Sequence, residues 1–126
     1  MKNLKEASYC NNSGHDFSLA ILIHSNNVAD ISLQIGQQLG LSGEQKELLY
    51  KAALYHDIGK SKIPESILYK KGKLTAREWE IMTRHSAYSE KLYLNISPIS
   101  ETDLEVSRMI RHHHENWDGT GYPDKL

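Results

Sequence analysis

The chain has 126 residues, of which 39% are hydrophobic and 25% charged, and this length and composition predict one globular domain with one hydrophobic core. A formal net charge of −1 gives no strong positive field for duplex nucleic acid, and no apolar run approaches the roughly 20 residues that a membrane-spanning helix needs. The single cysteine, Cys10, cannot form an internal disulfide, and the N-terminal residues lack a secretory signal pattern, so we expect a cytoplasmic protein.

The spacing of apolar residues is helical throughout and predicts an all-α fold. After a polar leader at residues 1–16, a first helix is expected from Phe17 to Leu39, ending at Gly40. Its predicted inward stripe consists of Ile21, His24, Val28, Ile31, Ile35 and Leu39. His24 is therefore expected on the buried face of this helix.

Capping-box pairs predict where the second and third helices begin, namely Ser42 with Gln45 and Thr75 with Glu78. The second helix is expected to run to His56 and to stop near Gly59. Residues 63–72, which include Pro64, form a connection with room for one short turn.

The third helix is expected to continue past residue 85, with an inner side formed by Trp79, Met82, His85, Ser89 and Leu92. The chain breaks near Pro98. A fourth helix follows, and its predicted inner side consists of Val106, Met109, Ile110 and His113.

Each predicted helix thus brings at least one histidine to its core side: His24, His56, His85, and His113 with His114 beside it. One such histidine is usually a hydrogen-bonded core residue. Several neutral rings together would leave ring nitrogens without partners, whereas a metal ion satisfies one nitrogen of each. Asp57 adds a carboxylate directly after His56. Imidazole and carboxylate without thiolates suit manganese, iron or zinc in a hydrolytic site, and this many ligands favours two ions acting on a phosphoryl group.

Lys60 follows His56 by four residues, just past the predicted helix end. Two interpretations of Lys60 are equally good. Its ammonium group contacts a phosphate oxygen beside the metals, or it interacts favourably with the C-terminal end of the helix dipole. His112 is turned by about 100° from His113 on a helix, so we expect it to face a different environment.

Four segments in this order resemble the HD-GYP subgroup of the HD superfamily of metal-dependent phosphohydrolases. They are HSNNVA at 24–29, AALYHDIGKSKIPESIL at 52–68, KGKLTAREWEIMTRH at 71–85 and HHENWDGTGYP at 113–123. The likeness covers nearly the whole chain beyond the leader.

The resemblance implies a helical bundle with two or three iron or manganese ions that hydrolyses cyclic di-GMP to pGpG or GMP. Six positions match the metal-binding residues of the family: His24, His56, Asp57, His85, His113 and His114. Lys60 matches the lysine near the scissile phosphate and, with Asp57, is the expected catalytic pair. Five positions match the GYP loop, whose glycines allow a sharp turn: Asp118, Gly119, Gly121, Tyr122 and Pro123.

Two departures from the family pattern shape these expectations. Ala20 stands where members with a third metal carry a glutamate, so we favour two divalent ions, iron or manganese before zinc, nickel or magnesium. Family domains also continue beyond the GYP loop into helices that supply a last metal-binding aspartate, whereas this sequence ends at Leu126. We therefore expect an HD-like domain at residues 17–126 without those helices, and a second copy or a partner subunit over the face they would cover.

The leading hypothesis is a metal-dependent phosphodiesterase that acts on a cyclic dinucleotide. Two alternatives stay open: an HD phosphohydrolase acting on another nucleotide or phosphoester, and a catalytically silent sensor or interaction module that lacks the last ligand. A substrate panel separates the first alternative from the leading hypothesis, and metal content separates the second.

Overall fold

The computed structural model describes residues 17–126, and helices are the only regular secondary structure in this range. A 3-10 helix at Ile58–Lys62 accompanies the α-helices, which are α1 (Phe17–Gln38), α2 (Gly43–Tyr55), α3 (Glu65–Leu68), α4 (Ala76–Thr83), α5 (His85–Ile96) and α6 (Glu101–His112). The predicted all-α fold is confirmed. The leader, with Cys10, lies outside the described residues, in which no helix is both long and apolar enough to cross a membrane.

The predicted helix starts are confirmed by hydrogen bonds. In the first capping box Ser42 Oγ accepts from the Gln45 backbone N–H at 3.1 Å, and Gln45 Oε1 accepts from the Ser42 N–H at 2.9 Å. The box formed by Thr75 and Glu78 has the same two bonds. Ser100 and Asp103 make a third box at the start of α6, which sequence analysis missed because aspartate replaces the usual glutamate or glutamine.

The hydrophobic core lies between α2, α5 and α6. Its buried residues are Leu48, Ala52, Tyr93, Val106 and Ile110. Tyr93 is almost fully buried and donates its hydroxyl to Asp103 Oδ1 at 2.9 Å, so its polar end is satisfied. Since the same Asp103 caps α6, this bond fixes the start of α6 against α5.

The predicted inward stripe of α1 is wrong for its last three residues, whereas Ile21 and Val28 are half-buried. Ile31, Ile35 and Leu39 are 56%, 53% and 71% exposed, and the most buried residues of α1, which packs on α2, are the small Ser25, Ala29 and Gly36. A Cβ on Gly36 would lie 3.2 Å from Leu41 Cδ1, which shows how closely the chain approaches α1 here. Small residues allow such close packing, but a count of large apolar residues does not detect them. Association with a second copy or a partner subunit over the face that the family's further helices would cover stays a prediction.

The predicted third helix is divided at Arg84 into α4 and α5, and Trp79, expected inside, is 54% exposed. Near the division, three side chains donate to the carbonyl three residues earlier: Thr83 to Glu80, His85 to Met82 and Ser86 to Thr83. Such bonds compete with the i to i−4 ladder and bend a helix. After the division, His85 and Ser89 lie against the 3-10 helix.

Gly59 lets the 3-10 helix lie directly against α5. Its backbone N–H donates to Ser89 Oγ at 2.8 Å, and an added Cβ would overlap the carbonyl oxygen of His85 and the backbone nitrogen of Ser89. Because Asp57 and Lys60 flank this contact, the approach of Gly59 to α5 sets the position of both side chains.

Replacing Gly59 with alanine should lower the free energy of unfolding by about 2 kcal/mol, because overpacking of a close contact costs roughly 1–3 kcal/mol. Thermal unfolding of the metal-free protein, followed by circular dichroism, measures the change. Gly43→Ala is the matched control, since a Cβ there has no atom within 4 Å. Equal melting temperatures for the two variants would contradict the close contact.

Candidate metal centre

The buried carboxylate of Asp57 lies where four histidines from different parts of the chain converge. Asp57 Oδ2 is 3.1 Å from His56 Nε2 and 3.5 Å from His24 Nε2. Asp57 Oδ1 is 3.4 Å from His85 Nε2 and 4.0 Å from His113 Nε2. Residues that sequence analysis selected on α1, after α2, on α5 and after α6 are therefore neighbours in space.

The candidate ligands form two adjacent groups among the described residues. His24, His56 and Asp57 make one group, and His85, His113 and His114 make the other, with possible ligand atoms within 4.8 Å of one another in each group. Asp57 also faces the second group through Oδ1. This division suits the expectation of more than one ion, although the number of ions stays a prediction.

Backbone carbonyls orient three of the rings. The Nδ1 atoms of His56, His85 and His113 lie 2.6, 2.8 and 2.6 Å from the carbonyl oxygens of Ala53, Met82 and Ile110, each three residues earlier. His56 and His113 are the C-cap residues of α2 and α6, and His85 lies at the division between α4 and α5. Since helix ends leave carbonyls without intrahelical partners, these positions can hold Nδ1–H and direct Nε2 towards Asp57.

The second group consists of neutral rings. Burial lowers the pKa of His85 and His114, and it lowers the pKa of His113 to about 4, with the neighbouring His114 adding to the effect. His85 Nε2 lies 3.4 Å from His113 Nε2, and with Nδ1 protonated on both rings these are two lone pairs that face each other. A cation would satisfy both lone pairs, so this nitrogen and oxygen donor set fits a divalent metal ion.

The charges around the Asp57 carboxylate favour protonation of His56 and ionisation of Asp57. Burial opposes protonation of His56, but the hydrogen bond and charge of Asp57 outweigh it and raise the His56 pKa. Burial likewise opposes ionisation of Asp57, yet bonds from His56 and Lys60 hold the Asp57 pKa below its ordinary value. Lys60 Nζ donates to Asp57 Oδ2 at 2.7 Å. Lys60 therefore lies at the centre itself and not at the solvent side of a helix end.

His24 differs from the other candidate ligands in its exposure. Its side chain is 54% exposed, so its expected place on a buried face is wrong. It nevertheless approaches Asp57 and lies beside His56, with ring centroids 5.4 Å apart. His24 therefore forms the solvent-facing edge of the first group.

Within the predicted GYP loop, the side chain of Tyr122 contacts the histidine rings. Its ring stacks on His114 with centroids 4.6 Å apart, and its backbone N–H donates to the His114 carbonyl at 3.2 Å. Gly119 has φ +73°, and a Cβ on Gly121 would lie 2.5 Å from the His114 carbonyl oxygen, so both positions require glycine. Asp118 is exposed and shapes the turn by accepting the N–H and hydroxyl of Thr120. Pro123 follows Tyr122 through a cis peptide bond.

An ion-pair network that sequence analysis missed fastens this loop to α5 and α6. Arg111 donates to both carboxylate oxygens of Asp124, at 2.7 and 2.8 Å, and to Glu90 at 2.8 Å. His112 Nε2 lies 2.9 Å from Asp124 Oδ2, which confirms that it faces away from His113 and its partners. Glu115 accepts the backbone N–H groups of the last three residues. Because these partners are nine or more residues apart, no short-range sequence pattern predicts the bonds between them.

Comparison with known proteins identifies related chains. A family model described as HD domain matches residues 11–126. A 3'3'-cGAMP-specific phosphodiesterase of Vibrio cholerae is 42% identical over 100 residues, which are 79% of this chain and 21% of that protein.

Two relatives carry a different substrate in their names. A cyclic di-GMP phosphodiesterase response regulator of Xanthomonas campestris is 42% identical over 93 residues, or 73% of this chain and 24% of the relative. A cyclic di-GMP phosphodiesterase of Thermotoga maritima is 40% identical over 104 residues, or 82% of this chain and 27% of the relative. The chain thus spans about a quarter of the length of these relatives.

In chelator-treated protein, the ring protons of His113 should titrate in NMR spectra with a midpoint near 4, against the ordinary 6.5. In the unfolded chain His113 is protonated near pH 6.5, whereas in the folded chain it is protonated only near pH 4. Because the unfolded state binds this proton first, His113 should lower the free energy of unfolding as the pH falls from about 6.5 to about 4. A midpoint at or above 6.5 would contradict the buried, neutral ring.

Proposed function

The chain belongs to the HD-domain family of metal-dependent phosphohydrolases, and on that premise we propose that it hydrolyses a phosphodiester bond of a cyclic dinucleotide. Cyclic di-GMP is the first candidate substrate, with pGpG or GMP as product. The observation that carries the proposal is the convergence of four histidine Nε2 atoms on the Asp57 carboxylate. The names of the relatives support the substrate class.

We propose that the two groups of ligands would hold two divalent ions, iron or manganese before zinc, nickel or magnesium, and that Asp57, which faces both groups, would supply the carboxylate. His24 and His56 would serve one ion, and His85, His113 and His114 the other. Bound metal supplies Lewis acidity, which activates water and offsets negative charge on the phosphate. His56 would ligate as a neutral imidazole, because ligating nitrogens must be deprotonated.

The protein's own groups would position the phosphodiester. Lys60 Nζ is held at the centre by Asp57, and from there its ammonium can donate to a non-bridging phosphate oxygen. Water would add to phosphorus while the P–O3' bond breaks, which leaves a 5'-phosphate and a free 3'-hydroxyl, as in pGpG. Tyr122, stacked on His114, restricts solvent on that side of the second group.

A second candidate substrate is 3'3'-cGAMP, because three of the relatives are named as phosphodiesterases specific for it. These relatives are 38 to 42% identical to the chain, and the relatives named for cyclic di-GMP are 36 to 42% identical. Overall identity therefore does not rank the two substrates. The residues that contact the bases decide between them.

Replacing His113 with alanine should remove most of the tightly bound metal, whereas His112→Ala should leave the metal content unchanged. The two histidines are adjacent, but one faces Asp57 and the other pairs with Asp124. Elemental analysis after dialysis measures the metal, and circular dichroism verifies equal helicity. Equal metal loss in the two variants, or in neither, would contradict the ligand assignment.

Protein reconstituted anaerobically with Mn²⁺ or Fe²⁺ should convert cyclic di-GMP to pGpG or GMP. Chromatography of the reaction mixture measures the products. Asp57→Asn should reduce the rate at least a hundredfold, because it removes the charge on which the histidines converge. Lys60→Met should reduce kcat by roughly 10²-fold, the effect typical of losing one donor to a developing charge.

The substrate panel includes 3'3'-cGAMP and bis(p-nitrophenyl) phosphate. Hydrolysis of only the small phosphodiester would favour a general HD phosphohydrolase. Protein that binds metal fully but hydrolyses none of the three compounds would overturn the proposal in favour of a silent binding module.

A further inference from the structure

A series of aromatic rings runs from the surface of α4 to the candidate metal centre. Trp79 is 54% exposed, and its ring meets Tyr122 edge to face with centroids 6.2 Å apart. Tyr122 stacks on His114, and the His114 ring contacts His85 at a centroid distance of 5.0 Å. One ring, that of Tyr122, therefore lies between the indole and the second group of ligands, and much of the Trp79 surface is open.

The segment around Trp79 is also the most basic part of the chain. Residues 60–84 contain seven lysine or arginine residues and three glutamates, although the whole chain has a net charge of −1. Lys70 Nζ donates to Glu78 at 2.6 Å, directly beside Trp79, while Lys71, Lys73 and Arg77 are exposed. Lys60, at the other end of the segment, reaches Asp57. The segment that carries the indole therefore also carries Lys60, the cation that contacts Asp57 at the centre.

We propose that Trp79, supported by Tyr122, is the stacking surface for one purine base of the cyclic dinucleotide, whose phosphate lies at the Asp57 centre. This inference rests on the function proposed above. An aromatic face open to solvent beside a basic segment is the combination that single-stranded nucleotides require, because bases stack on the ring while cations neutralise the phosphates. The stack is tolerant of base identity, so Trp79 would provide affinity for guanine and adenine alike.

The two tryptophans of the chain make a direct test available. Trp117→Phe leaves Trp79 as the sole indole, and Trp79→Phe leaves Trp117, which is fully exposed in the loop after α6. Tryptophan fluorescence is followed while protein with Mn²⁺ is titrated with cyclic di-GMP, with free tryptophan amide as the optical control. We expect saturable quenching in Trp117→Phe and little change in Trp79→Phe.

Affinity gives a second measurement that does not depend on fluorescence. Trp79→Ala should weaken cyclic di-GMP binding in calorimetry by roughly tenfold, the scale of one base–aromatic stack, whereas Trp79→Phe should retain most of the affinity. Trp117→Ala is the matched control and should bind as the parent chain does. Circular dichroism and metal content are measured on each variant, so loss of the fold is recognised.

Failure of this inference differs from failure of the proposed function. Hydrolysis by the parent chain without quenching of Trp79, or with equal quenching of Trp117, would overturn the stacking surface and leave the function intact. Saturable quenching of Trp79 without hydrolysis would support the stacking surface and count against catalysis. Absence of both binding and hydrolysis would overturn both.

Discussion

Three hydrogen bonds of one kind orient the candidate metal centre. His56, His85 and His113 each place Nδ1 against the carbonyl oxygen three residues earlier, and each ring then presents Nε2 to Asp57. In metal-binding histidines such a bond fixes the tautomer and the ring orientation. Because the carbonyls belong to helix ends, the lengths and ends of α2, α4 and α6 determine where the rings meet. The geometry of the centre is thus a property of the helix ends more than of the helix faces.

The position of Asp57 depends on backbone packing. Gly59 allows the 3-10 helix to approach α5, and Ser89 receives its N–H. Asp57 is thereby held between His56 and His85, where burial alone would favour its neutral form. Lys60 and His56 keep it ionised. The carboxylate therefore remains available as an anionic ligand although its own side chain is buried.

Sequence reasoning found the chemistry of the site better than its local structure. The histidines and Asp57 were identified by residue type and position, and the family resemblance is confirmed by the match of the HD domain over residues 11–126. The buried face of α1 could not be found from large apolar residues, because Ser25, Ala29 and Gly36 form it. The bonds from Arg111 to Asp124 join residues 13 positions apart and depend on how the loop folds back over α6. Such contacts exist only once the tertiary structure has formed.

The division at Arg84 could have been predicted. Thr83, His85 and Ser86 lie together, and each can bond a nearby carbonyl, a local pattern that competes with a continuous helix. The hydrophobic period of the segment concealed this signal. On the two sides of this division, His85 is buried and Trp79 is exposed beside Tyr122.

The central claim, that the histidines and Asp57 surround cations, is tested most directly by anomalous X-ray diffraction from crystals grown with Mn²⁺. Data collected on the two sides of the manganese absorption edge locate the ions independently of any assumption about their ligands. The account predicts anomalous peaks between the Asp57 carboxylate and the Nε2 atoms of the two histidine groups. Peaks only at surface carboxylates, with the rings of the centre unchanged and no metal between them, would contradict it.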